Sequence, residues 1–152
     1  MRWQEEDIDL YIGAKEYVDT LLIPLMPLSM DDKFDINKLT VQGELLTIFA
    51  NEIEKQFKGR IFLMPTYNYM FNEESSLELT RLNNWVDKIE ANPFKHIFLL
   101  TLDHQWKKHE RDLAGNLLWF PAIQSGNVSS KESQVIIKDQ INQLSELIRS
   151  YW

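Results

Sequence analysis

Apolar positions along the chain fall into two alternating patterns. Short runs rich in branched and aromatic residues, "LLIPLM" (21 to 26), "RIFLMP" (60 to 65), "HIFLLTL" (96 to 102) and "NLLWFP" (116 to 121), predict strands buried on both faces. Between them the spacing is helical. Leu45, Phe49, Ile53 and Phe57 recur every four residues and predict a helix from about Thr40 to Lys58 that stops at Gly59. Leu79, Leu82, Val86 and Ile89 form a second stripe, opened by a Ser75/Glu78 capping box and closed by Asn92-Pro93. A Ser129/Glu132 pair opens the last stripe, Ile137, Ile141, Leu144, Ile148 and Tyr151. An amphipathic helix carrying Leu10, Tyr11, Ala14, Tyr17 and Val18 precedes the first strand.

Strands that alternate with helices pair in parallel, because consecutive parallel strands need a long crossover. The expected fold is a single α/β domain over residues 1–152. It is a three-layer sandwich with a small, mostly parallel four-stranded sheet, Rossmann-like or flavodoxin-like, and helices on both faces. The leading strand order is 2-1-3-4. Pro24 lacks a backbone donor inside the first run and predicts a strand that is short, bulged or at an edge. Pro65 and Pro121 sit at the ends of their runs as terminators.

Composition narrows the function classes. With 44% hydrophobic and 26% charged residues, the chain matches soluble globular proteins. Its formal charge of -7 disfavours nucleic acid and anionic lipid as partners. The absence of cysteine removes disulfides, thiolate metal sites and a cysteine nucleophile, and fits a cytoplasmic protein. The acidic start has neither the basic lead nor the apolar core of a signal peptide, and no apolar run reaches bilayer length, so membrane insertion is not expected.

In open α/β sheets ligands bind beyond the carboxyl ends of the strands. That rule selects four loops, holding Ser29, Asp31 and Asp32; Thr66, Tyr67, Asn68 and Tyr69; Asp103, His104 and Trp106; and Gln124, Ser125 and Asn127. Asp103 and His104 are the catalytic candidates, although aspartate there also caps a following helix. His104 and His109 are five apart, about 140 degrees around a helix, and cannot chelate one ion together. Asp31, Asp32 and Asp35, with Asp103, supply oxygen ligands for a divalent metal. Those acids resemble the pocket of response-regulator receiver domains, without the fifth strand and its lysine. Tyr67, Tyr69, Phe71 and Trp106 are the candidates for binding a ligand or protein partner. No G-x-G-x-x-G, Walker or G-x-S-x-G pattern occurs among the chain's five glycines.

The segments "EYVDTLLIPLMPLSM", "FKGRIFLMPTYNY" and "LTLDHQWK", with an opening "RW", resemble the uncharacterised YpiF-like family of Bacillus-type bacteria over nearly the whole chain. The resemblance implies a small bacterial cytosolic protein of a family of unknown function, with no catalytic residues to carry over. Two readings follow. One is a noncatalytic binding or regulatory domain acting through a protein partner, with a homodimer as one form of partner. The other is a metal-dependent hydrolase or phosphotransfer enzyme using Asp31, Asp32, Asp103 and His104.

Overall fold

The computed structural model describes residues 1–71, 75–89, 94–121 and 127–152. Four α-helices, α1 (Glu5–Gly13), α2 (Ile36–Gln56), α3 (Ser76–Ile89) and α4 (Lys131–Tyr151), surround five strands. The strands are β1 (Thr20–Leu28), β2 (Ile61–Leu63), β3 (Tyr67–Met70), β4 (His96–Thr101) and β5 (Asn116–Trp119). A 3₁₀ helix, His104–His109, links β4 to β5. The sheet runs β2-β1-β4-β5 with every described pairing parallel, which is the expected order of the four predicted runs.

Two layers of core follow from the period-two alternation of strand side chains. Leu22, Leu100 and Leu118 face α2 and α4, meeting Phe49, Ile53 and Leu144. Leu21, Ile23, Leu25 and Leu99 face the opposite side, with Leu82 and Val86 of α3 and Trp106 of the 3₁₀ helix. α1 joins that second layer through Ile8 and Tyr11, which pack against it partly buried.

β3 is an addition to the expected sheet, and it explains Pro24. β1 pairs with β2 from Thr20↔Ile61 to Leu22↔Leu63 and with β3 from Leu25↔Tyr67 to Leu28↔Met70. The register slips by one residue between them, so β2 and β3 are one edge strand interrupted at Met64, Pro65 and Thr66. Met64 N–H donates to the Leu22 carbonyl and Phe71 N–H to the Leu28 carbonyl, so the even-numbered residues of β1 turn their backbone toward this edge. Pro24 shares that orientation and aims its missing donor at the interruption. The expectation of a short or edge strand is corrected: β1 is central and nine residues long, and the bulge lies in its neighbour.

Local signals shift by a few residues. Asp35 caps α2 by accepting from Lys38 N–H, so the helix begins earlier than its apolar stripe. Ser130, not Ser129, caps α4. The Ser75 hydroxyl turns to His109 Nε2 at 2.6 Å and the Glu78 carboxylate to Tyr67 and Arg81, in place of a reciprocal capping box. α2 ends at Gln56 with Phe57 as its cap, short of the expected Lys58, and Gly59, at φ +94°, takes the left-handed turn beyond it. Asn92-Pro93 lies outside the described residues.

The amino-terminal end of the sheet is closed. Arg60 grips Asp19 with two hydrogen bonds of 3.0 and 3.1 Å and stacks over the Trp152 ring at 3.8 Å. Trp152 Nε1 in turn donates to Thr20 Oγ1. Beside β2, Met1 and Arg2 extend the sheet, with Leu63 N–H donating to the Met1 carbonyl and Arg2 bridging Leu63 in parallel.

Candidate functional site

The carboxyl ends of the strands gather the sequence candidates into three separate places. The first is a buried polar knot. Tyr69, alternating inward from β3, donates its hydroxyl to Asp103 Oδ2 at 2.7 Å, and Asp103 Oδ1 accepts from Gln105 N–H to cap the 3₁₀ helix. The helix turns Trp106 beneath it, where the indole meets the Tyr69 ring edge-on at 5.3 Å. Tyr67 joins through Tyr69 and Trp85, and its hydroxyl donates to Glu78 Oε2. Exposures of 1% for Tyr67, 6% for Tyr69, 4% for Asp103 and 1% for Trp106 make this knot part of the core.

Burial, then the Asp103 carboxylate beside it, pushes the Tyr69 phenol well above its ordinary pKa. The Trp106 indole N–H opposes that rise but closes no hydrogen bond of normal geometry. Tyr67 is raised in the same way by burial and Glu78. Both phenols therefore serve as protonated donors. Tyr69→Phe should lower unfolding free energy by about 1.5–3 kcal/mol, the range for a hydrogen bond to a charged group, read as a lower urea midpoint at unchanged slope. An unchanged midpoint would remove Tyr69 as the partner of Asp103.

The second place is solvent. Asp31 and Asp32 are exposed in the loop after β1, where Asp31 pairs with Lys33 at 3.5 Å and accepts from its N–H. His104 is exposed as well. Among the described residues no three His, Asp or Glu side chains meet in a group that could hold a metal ion. Asp103 faces inward to Tyr69 while Asp31, Asp32 and His104 face water. His109 is half-buried against Ser75. Gln124 and Ser125 lie outside the described residues, and Asn127 accepts from Ser129 N–H in a turn.

The third place was not visible in the sequence. A groove of about 610 Å³ opens between the end of β1 and the first half of α2, walled by Met26, Leu28, Ile36 and Leu39. Gly43 lets α2 approach, since a Cβ there would lie 2.9 Å from Met26 Sδ. A second depression of about 330 Å³ continues along the same helix past Thr47 to Pro24, Pro65 and Trp3. Apolar side chains stand exposed around this line: Leu28 at 45%, Met30 at 86%, Met70 at 57% and Trp3 at 65%. Phe71, the residue after Met70, stands edge-on to Phe34 at 5.0 Å. Glu44 stands on the groove wall, and Asp32 and Asp35 lie in the loop that leads into α2; none of the three has an ion partner among the described residues, while Lys33 pairs with Asp31 and lies over the Phe34 ring.

A family model described as "Protein of unknown function (DUF2487)" matches residues 9–152. The "Uncharacterized protein YpiF" of Bacillus subtilis (strain 168) is 26% identical over 152 residues, covering 100% of this chain and 98% of that protein. No solved structure matches the chain. No helix among the described residues is long and apolar enough to cross a membrane.

Proposed function

The chain belongs to the DUF2487 family of proteins of unknown function, and we propose that it acts as a noncatalytic binding domain in the cytosol. Its groove along α2 takes an apolar segment of a protein partner whose flanks carry Lys or Arg. The observation that carries this reading is that Leu28, on the groove wall, and Met70, its register partner on β3, both stand exposed, with Met30 exposed two residues beyond Leu28; single exposed apolar residues are common but grouped ones mark contact surfaces. Basic flanks follow from Glu44 on the groove wall, from Asp32 and Asp35 in the loop that leads into α2, and from a net charge of -7. The reading assigns no reaction and no cofactor. Tyr67, Tyr69 and Trp106 support the site from beneath, by holding β3 and the 3₁₀ helix in place, while Phe71 lies at its border.

The test is selection from a random dodecapeptide library on the immobilised full chain, followed by titration calorimetry of the enriched peptides. The expected peptides combine apolar residues with Lys or Arg and bind at micromolar strength, weakening as salt rises. Leu28→Asp should weaken them by at least about tenfold, roughly 1.4 kcal/mol, because a carboxylate then faces the apolar wall. Enrichment of nothing, or of acidic peptides indifferent to Leu28→Asp, would overturn the reading.

A further inference from the structure

We infer that the partner segment binds as an added strand on the open edge of β3, continuing the sheet over the groove; this rests on the groove reading above. Three features of this edge converge on it.

Phe71 N–H donates to the Leu28 carbonyl at 2.7 Å, which fixes the odd residues of β3 as those turned toward β1. Asn68 and Met70 therefore present their backbone donors and acceptors outward, away from the sheet. Among the described residues only Arg81 bonds to these groups, with Nη1 3.2 Å from the Asn68 carbonyl. Arg81 is exposed, pairs with Glu78 at 3.2 Å and lies over the Tyr67 ring at 4.8 Å; an added strand takes over its contact with the Asn68 carbonyl, and a charged guard of this kind is how open edges are kept from unwanted pairing.

The same edge already carries an added segment. Beside β2 its pairing partner is supplied by Met1 and Arg2, with Leu63 N–H on the Met1 carbonyl. The β3 half lacks such a neighbour among the described residues. An added strand there would continue the line that Met1 and Arg2 begin.

Side-chain direction completes the fit. Met26, Leu28, Asn68 and Met70 share the face of the sheet that looks toward α2, while Tyr67 and Tyr69 share the other. A strand laid beside β3 places every second side chain on the α2 side, against Asn68 and Met70 and one strand out from the Leu28 wall of the groove. From Ile36 to Asn51 the two depressions follow α2 for roughly 22 Å at about 1.5 Å per residue, enough for an extended segment of about six or seven residues. Alternation of apolar and polar residues is thus the sequence that fits, with Lys or Arg at the positions nearest Glu44.

The experiment uses the peptides selected above against the full chain and three variants. Met70→Pro removes an outward donor that no internal ladder uses, and Met70→Ala trims the same side chain while keeping that donor. Expected is binding at least about tenfold weaker for Met70→Pro than for Met70→Ala. A scan of singly N-methylated peptides should repeat the pattern from the ligand side, with every second position abolishing binding. Loss with Leu28→Asp, but equal binding by Met70→Pro and Met70→Ala and no period-two pattern in the scan, overturns strand addition and leaves the groove reading standing. Indifference to all three variants overturns both. A dimer in sedimentation that Met70→Pro dissociates assigns the edge to a second copy and overturns a partner segment.

Discussion

Trp106→Ala should lower the unfolding free energy by about 3–5 kcal/mol, a large share of what a domain of this size has. Trp106 is 1% exposed and is the bulkiest fully buried side chain. It lies under Tyr69 and is brought there by the short helix that Asp103 caps. Truncation loses the burial of the indole and leaves a cavity between β3, α3 and that helix, and a rigid core relaxes only part of the way into such a space. Trp106→Phe is the contrasting variant. It discards an indole N–H that closes no hydrogen bond and keeps much of the ring contact, so it should cost roughly half as much or less. Chemical denaturation of the three proteins checks this directly. Equal, small losses for both variants would mean that Trp106 spends its time outside the core.

Glu54→Gln should cost about 3–5 kcal/mol, for a different reason. Glu54 is 5% exposed, and its carboxylate pairs with the Met1 α-amino group and with Arg2 Nε at 3.1 Å. Neutralising it leaves a mostly buried ammonium without its counter-charge. Burial raises the Glu54 pKa, but the hydrogen bonds from the α-amino group and Arg2 outweigh it and hold the group below the ordinary glutamate value. Asp19 is depressed in the same manner, burial being outweighed by the Arg60 hydrogen bonds. A depressed folded pKa means that the unfolded chain takes up the proton first as pH falls. The stability from both groups is therefore complete above the ordinary carboxylate pKa and drains away through the lower folded value. Unfolding free energy should fall below about pH 4 in the wild type. The fall should be shallower in Glu54→Gln, and parallel curves would show that this ion pair does not form.

The order of the four apolar runs was legible because each is buried on both faces and each is separated from the next by a helical stripe. β3 was not, because four residues of alternating pattern, Tyr67 to Met70, read equally well as a loop and become a strand only by pairing with the far half of β1. Pro24 misled for the same reason: its missing donor is harmless where the neighbouring strand is interrupted, and that interruption is a long-range fact. Asp35 stood three residues ahead of Lys38, but the apolar stripe starts later, so the first turn of α2 was hidden. Among the site residues, Asp103 could be recognised as a cap because capping is local. Burial of Tyr67, Tyr69 and Trp106 could not, since it requires β3 and the 3₁₀ helix to meet. The groove was least legible of all. Its walls are the flank of α2 and the α2-facing side chains of β1, and they stay uncovered only because the sheet ends at β3.

The most direct test of the central claim is amide chemical-shift mapping of the isotope-labelled full chain on titration with the selected peptide. Saturable shifts are expected at Met26–Ser29, Ile36–Thr47 and Asn68–Phe71, with the Asp103–His109 segment little changed. Shifts centred on Asp103 and His104, or on the opposite layer at α1 and α3, would contradict it.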